Sequence, residues 1–134
     1  MKSRFIKIFI LFLTSFLVSC DPIHNIDFVN KSNSEAKVKI NLISKNENYD
    51  LKQNAIGDSI VFNLKKDSIA NIYFGIGSWD KKEINELTKS IKSIEIETKD
   101  VTTIYKSQNS MNEILNNNNI EGIFMKTVIK IEIK

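Results

Sequence analysis

Few side chains in this chain of 134 residues could act as catalysts. It contains one histidine, His24, and one cysteine, Cys20. Nucleophilic catalysis by a Ser-His-Asp or Cys-His set needs a base that is held inside a cleft. Because His24 follows Pro22 in a short polar segment, before any regular hydrophobic pattern begins, we expect it to be a solvated residue of a tether. The sequence therefore predicts no enzyme activity.

Two pairs of carboxylates are close enough for general acid and base work: Glu95 with Glu97, and Glu83 with Glu86. Both pairs fall on the polar face of an amphipathic element, whereas an acid–base pair needs burial to give its members different protonation states. We interpret them as solvated side chains. The segment Gly75-Ile76-Gly77 resembles part of a phosphate loop, but it lacks the third glycine and the Lys-Ser or Lys-Thr that follow in such loops. We predict no cofactor and no metal site.

Aromatic residues offer a different chemistry. Tyr49, Tyr73 and Trp79, the only tryptophan, could form a platform on which sugar rings stack. The alternative is that these side chains fill the core beneath a helix. Exposure of the Trp79 indole separates the two interpretations, since an exposed ring favours glycan binding and a buried ring removes it.

The charge of the chain is concentrated at its N-terminus. The formal net charge is +3, but Lys2, Arg4 and Lys7 account for all of it, and the sixteen lysines after residue 19 balance sixteen acidic residues. A neutral domain has no basic surface for the phosphate backbone. The composition therefore excludes nucleic acid as the expected partner.

The first 19 residues have the pattern of a secretory signal peptide. Basic residues precede an apolar run over 8–18, which is shorter than the ~20 residues of a membrane-spanning helix. The run ends in Leu17-Val18-Ser19-Cys20, which resembles the lipobox of bacterial lipoproteins. That resemblance implies a diacylglycerol thioether and an acylated amino group on Cys20. Two or three long acyl chains give stable membrane anchoring.

After Cys20 we predict a tether over residues 20–25 and one domain over residues 26–134. Alternating apolar and polar residues, typical of strands with one buried face, recur about seven times. Residues 80–91 instead have helical spacing, and Asp80 with Glu83 has the spacing of a capping box. These patterns predict a mainly β fold, a two-layer immunoglobulin-like β-sandwich with one short helix. The alternative is an α+β fold, an antiparallel sheet with one helix. The alternating runs begin at Ile26, Ala36, Ile60, Ile72, Ile94, Val101 and Ile129.

Shorter signals complete the prediction. Lys99-Asp100 lies between two alternating runs and indicates a tight hairpin, and residues 111–115 indicate a helical turn. Two tripeptides, Asp58-Ser59-Ile60 and Asp67-Ser68-Ile69, resemble the O-glycosylation acceptor motif of Bacteroidetes-type bacteria. That resemblance implies that the hydroxyls of Ser59 and Ser68 are sites of O-glycosylation.

The order of leader, lipobox and strands resembles small, uncharacterised Bacteroidetes-type lipoproteins. The resemblance runs along the whole chain and includes the opening strand at 26–30 and the strands at 93–97, 102–106 and 130–133. It implies a position in the bacterial cell envelope, on either the inner or the outer membrane, and carries no activity. We therefore expect a lipid-anchored, non-enzymatic envelope protein that docks a protein partner. The alternative is a glycan-binding envelope lipoprotein.

Overall fold

The computed structural model describes residues 22–121 and 126–134. The predicted signal peptide over residues 1–19 and the predicted lipidation residue Cys20 lie outside the described residues. Within the described ranges, no helix is both long enough and apolar enough to cross a membrane.

Strands predominate in the described part of the chain, which contains eight strands and three helices. The helices are short and lie between strands. The strands are β1 (Ile23–Asn30), β2 (Ala36–Leu42), β3 (Ser59–Leu64), β4 (Ile69–Ile76), β5 (Ile91–Thr98), β6 (Thr102–Tyr105), β7 (Asn119–Glu121) and β8 (Lys126–Ile133). The helices are α1 (Tyr49–Asn54), α2 (Lys81–Lys89) and α3 (Gln108–Asn117).

These strands form two four-stranded sheets, with the orders β4-β1-β8-β7 and β3-β2-β5-β6. Neighbouring strands are antiparallel, except that β1 and β8 are parallel. The inner faces of both sheets contribute to one apolar core, in which the ring centroids of Phe28 and Phe62 are 6.1 Å apart. The predicted mainly β fold, a two-layer sandwich with a short helix, is confirmed.

Helix α2 forms where the spacing of residues 80–91 predicted it. The side chain of Asp80 accepts a hydrogen bond from the backbone N–H of Glu83 at 2.7 Å, which caps the first turn. Ile84 and Leu87 are buried on the face that covers the core. Beyond the one predicted helix, the structure adds α1 and extends the predicted turn at 111–115 into α3.

The folded domain begins earlier than the sequence predicted. β1 starts at Ile23, and His24 and Asn25 are only 3% and 9% exposed. The predicted tether over residues 20–25 was therefore wrong for residues 23–25. His24 occupies the inward-facing position that continues the alternation of Ile26 and Phe28. Because histidine is polar, the hydrophobic pattern did not extend to this residue and the strand was predicted to start too late.

Asn30 connects the end of β1 to the second sheet. Its side chain is fully buried, and its amide nitrogen donates to the carbonyl oxygens of Leu64, at 3.1 Å, and Ser34, at 2.8 Å. Its amide oxygen accepts from the backbone nitrogen and the hydroxyl of Ser32, at 3.0 and 2.7 Å. Because both amide atoms are hydrogen-bonded, the burial of this polar side chain is compensated.

Candidate functional site

A cleft of about 320 Å³ opens beside the first turns of α2. Carboxylates, aromatic rings and the single imidazole line it, and we call it the acidic cleft. In the described part of the chain, no lysine or arginine lines the acidic cleft. Its principal lining residues are Glu47, Asp50, Glu83 and Glu86, together with His24, Phe74 and Trp79.

A β-bulge positions two of these side chains. Opposite His24 in β1, strand β4 contributes two residues, Phe74 and Gly75, so the register of the pair shifts there. Gly75 has a φ of 83°, a left-handed conformation that glycine adopts without steric cost. Such bulges bend a strand and redirect its side chains, and here both His24 and Phe74 line the cleft.

The aromatic rings of the cleft pack on one another. The centroid of the Trp79 indole lies 3.9 Å from that of His24 and 5.1 Å from that of Phe74, the latter in an edge-to-face arrangement. Trp79 is fixed at two further points, since its Nε1 donates to the carbonyl of Asn25 at 3.0 Å and its backbone N–H donates to the carbonyl of Lys126 at 2.6 Å. The indole is therefore a rigid part of the cleft lining.

The predicted glycan platform of Tyr49, Tyr73 and Trp79 does not assemble. Trp79 is 3% exposed, so its ring cannot offer a face to a sugar, and this part of the prediction was wrong. Tyr73 and Tyr49 are 52% and 69% exposed, but no ring contact joins them in the described ranges. The indole is buried because it closes the core between β1 and α2, the alternative that the sequence left open.

His24 is the least expected member of the cleft, because it was predicted to be solvated and that prediction was wrong. Its side chain is 4% exposed, and its Nε2 is buried without a hydrogen-bond partner. The nearest carboxylate oxygen, Glu83 Oε2, lies 3.8 Å from Nε2, beyond hydrogen-bond distance. Two other buried side-chain atoms, in Asn25 and Asn46, also lack partners, but neither residue lines the cleft. Since buried polar atoms are nearly always hydrogen-bonded, an Nε2 without a partner is an unusual feature of this cleft.

The carboxylates of the cleft retain contact with solvent. The side chains of Glu83 and Glu86 are 45% and 59% exposed, as the sequence predicted for a polar helix face. Glu86 accepts from Lys89 at 2.7 Å. Among the described residues, Glu47, Asp50 and Glu83 have no ion pair with a lysine or arginine. Three of the four carboxylates in the cleft are therefore not neutralised by an ion pair with a described lysine or arginine.

The second predicted carboxylate pair belongs to a different surface. Glu95 in β5 accepts hydrogen bonds from Asn41 at 2.6 Å and from Ser93 at 3.3 Å, on the outer side of the second sheet. Glu97 is exposed two residues further along. The fold does not bring this pair to the acidic cleft.

Ser90 also lines the acidic cleft, so a serine, an imidazole and a carboxylate share it. In a catalytic triad the serine hydroxyl and the carboxylate bond to different nitrogens of the histidine. Here Nε2 faces Glu83 and makes no hydrogen bond to Ser90. No three His, Cys, Asp or Glu side chains group as metal ligands within the described ranges.

The two predicted glycosylation hydroxyls lie away from this cleft. Ser59 begins β3, and its hydroxyl donates to the side-chain oxygen of Asn41 at 3.1 Å. Ser68 precedes β4 in a turn, and its hydroxyl donates to the carbonyl of Lys65 at 2.7 Å. Both are half-buried, and their modification stays a prediction.

Comparison with protein-family models, with curated proteins and with solved structures finds no match for this chain. The sequence did not reveal the acidic cleft, because its lining residues come from four separate segments. The one signal it offered was the position of His24 in phase with Ile26 and Phe28. The chemistry of the cleft and of the lipobox is therefore the basis for a function.

Proposed function

We propose that this chain is a lipid-anchored protein of the bacterial cell envelope whose sandwich domain binds a protein partner and catalyses no reaction of its own. The acidic cleft supports the binding role. It combines a buried imidazole nitrogen that lacks a partner with carboxylates that lack a countercharge. The lipobox Leu17-Val18-Ser19-Cys20 supports the anchor.

The anchor and the cleft are close along the chain. His24 follows Cys20 by four residues, and an extended chain spans at most about 14 Å over that distance. A protein held by acyl chains on Cys20 would keep its acidic cleft near the membrane surface. The partner would then be a protein that is itself in, on or close to that membrane.

Metabolic labelling tests the anchor. Cells that express the protein and are fed a tagged fatty acid should label the wild-type chain and leave Cys20→Ser unlabelled, because the thiol is the proposed acylation site. Equal labelling of the two chains would refute the anchor.

Crosslinking in intact cells tests the partner. A protein captured by the wild-type chain should be lost with Glu83→Lys, which reverses charge inside the cleft, and retained with Glu97→Lys, which makes the same change on the exposed face of β5. Capture that is unaffected by Glu83→Lys would contradict docking at the cleft. A catalytic activity that purifies with the protein and disappears on one point mutation would contradict the non-enzymatic role.

A further inference from the structure

We propose that the acidic cleft binds a primary ammonium group at the end of an aliphatic chain, of the kind that a lysine side chain of the protein partner carries. The identity of the partner rests on the proposed function above. The chemistry of the site rests only on the residues that line the cleft.

The first step concerns hydrogen-bond geometry. An ammonium group has three N–H donors and no acceptor, and its hydrogen bonds to charged acceptors are about 2.7–2.9 Å long. With the ring proton on Nδ1, Nε2 of His24 is an acceptor, and it lies 3.8 Å from Oε2 of Glu83, close enough for one ammonium to donate to both. Such a ligand would give the buried Nε2 the partner that it lacks.

The second step concerns charge. Glu83, Glu47 and Asp50 line the cleft without a lysine or arginine partner among the described residues, and Glu86 is engaged by Lys89. A cation that enters would be attracted by three uncompensated carboxylates. The partial burial of the cleft strengthens that attraction relative to open water.

The third step concerns the apolar part of the ligand. Phe74 is half-buried, and its ring, which packs on Trp79 and lies 6.1 Å from His24, provides apolar surface beside the imidazole. Lysine buries its methylene groups along such surface while its charged end meets polar groups. The cleft volume of about 320 Å³ is at the lower end of the range of ligand sites, which suits one extended side chain.

Two other cations fit the cleft less well. A divalent metal ion prefers three or more protein ligands at short distances, and no such group occurs in the described part of the chain. A zwitterionic lipid headgroup carries a phosphate a few bonds from its ammonium. The carboxylates of the cleft would repel that phosphate, and no basic residue described there would bind it. The lysine side chain carries no anion.

Titration of the full-length protein in neutral detergent tests the proposal. The probe is Nα-acetyl-lysine methylamide, and its matched control is the Nα,Nε-diacetyl compound, which lacks the charge. His24 and Trp79 are the only residues of their types, so the imidazole proton signals and the indole fluorescence report on the cleft without assignment. The charged probe should give saturable changes in both signals, and the neutral probe should give none.

A pair of variants localises the effect. Glu83→Gln should weaken binding of the charged probe by at least about tenfold, because it removes a charge-assisted hydrogen bond. Glu97→Gln, which removes the same charge from the exposed face of β5, should change the affinity by less than about twofold. Glu83 lies on a partly exposed helix surface, so its substitution leaves the core intact.

Several results would overturn the ammonium site. They are equal responses to the charged and neutral probes, unchanged affinity in Glu83→Gln, or tighter binding of zinc or phosphoethanolamine than of the lysine probe. The measurement uses purified protein and needs neither acylation nor a partner. A negative titration would therefore remove the ammonium site while the labelling and crosslinking results stood on their own.

Discussion

The imidazole ring of His24 lies against the indole ring of Trp79, with centroids 3.9 Å apart and the ring planes inclined by 50°. The contact joins the first strand of the domain to the segment that leads into α2. Each ring restricts the other, and the Nε1–H of Trp79 is also bonded to the carbonyl of Asn25. The edge of the acidic cleft is thus fixed before any ligand enters.

Burial of Trp79 predicts that its fluorescence is protected from a quencher dissolved in water. Iodide should quench the indole only weakly in the folded protein and strongly after unfolding, since the ring is 3% exposed. Trp79→Phe should lower the free energy of unfolding by at least about 1 kcal/mol, because it removes the hydrogen bond to Asn25 and part of the packing. Strong quenching in the folded state would show that the indole is exposed and would contradict its burial in the core.

The packing of α2 predicts the effect of Leu87→Ala. Leu87 is 4% exposed and belongs to the core, so truncation leaves a cavity and should cost about 2–5 kcal/mol in a denaturant titration. Lys82→Ala, on the exposed side of the same helix, should change the unfolding free energy by less than about 0.5 kcal/mol. Similar losses in both variants would contradict the packing of α2 on the core.

The buried amide of Asn30 predicts a large effect of a nearly isosteric change. Asn30→Asp removes both donors to the carbonyls of Leu64 and Ser34 and puts acidic oxygens against them. We expect a loss of at least about 2 kcal/mol in the free energy of unfolding. Asn63→Asp, on the exposed face of β3, should stay within about 0.5 kcal/mol. Equal stability of the two variants would refute the bridging role of Asn30.

Asp27 predicts a dependence of stability on pH. Burial raises the pKa of its carboxyl above 3.8, although a hydrogen bond from Asn25 and the charge of Lys130 act in the opposite direction. Relative to the unfolded chain, the folded state therefore binds this proton more tightly. The resulting contribution to stability is full below pH 3.8 and is lost as the pH rises through the raised pKa. Asp27→Asn should be more stable than wild type at pH 7.

The advantage of Asp27→Asn should shrink as the pH falls below the raised pKa of Asp27. Denaturant titrations of both proteins across that range measure the difference directly. Asp100→Asn, in the exposed hairpin turn, controls for the loss of one negative charge. A difference between Asp27→Asn and wild type that stays constant with pH would contradict the effect of burial.

Much of the fold could be predicted from the sequence because the strands have one solvent-exposed face and one buried face. In β2, Val38 and Ile40 are buried while Lys37 is exposed, and this alternation predicted the strand directly. β7 has only three residues and α1 only six, too few to show a period. The parallel pairing of β1 with β8 depends on how distant segments meet, and local alternation does not encode it.

The candidate site was less predictable for a related reason. The sequence alone does not distinguish a solvated histidine from one that continues the inner face of a strand. In the structure, the packing of the His24 ring against Trp79 shows that it is of the second kind. Glu83 was placed on a helix surface correctly, but its position opposite His24 depends on where α2 packs. The burial of Asn30 was equally hard to predict, since one of its hydrogen-bond partners, the carbonyl of Leu64, lies on the other sheet.

The parallel pairing of β1 and β8 joins two segments that are far apart in the chain. β1 lies between β4 and β8, and Asn25 is aligned with Val128, about one hundred positions later in the chain. In the first sheet, β1 therefore has no hydrogen-bonding partner on one of its two edges until β8 is available. For a chain exported as proposed, vectorial passage through a translocation channel would deliver β8 last. The domain would stay open during transit and close only on the far side of the membrane, where the anchor is attached.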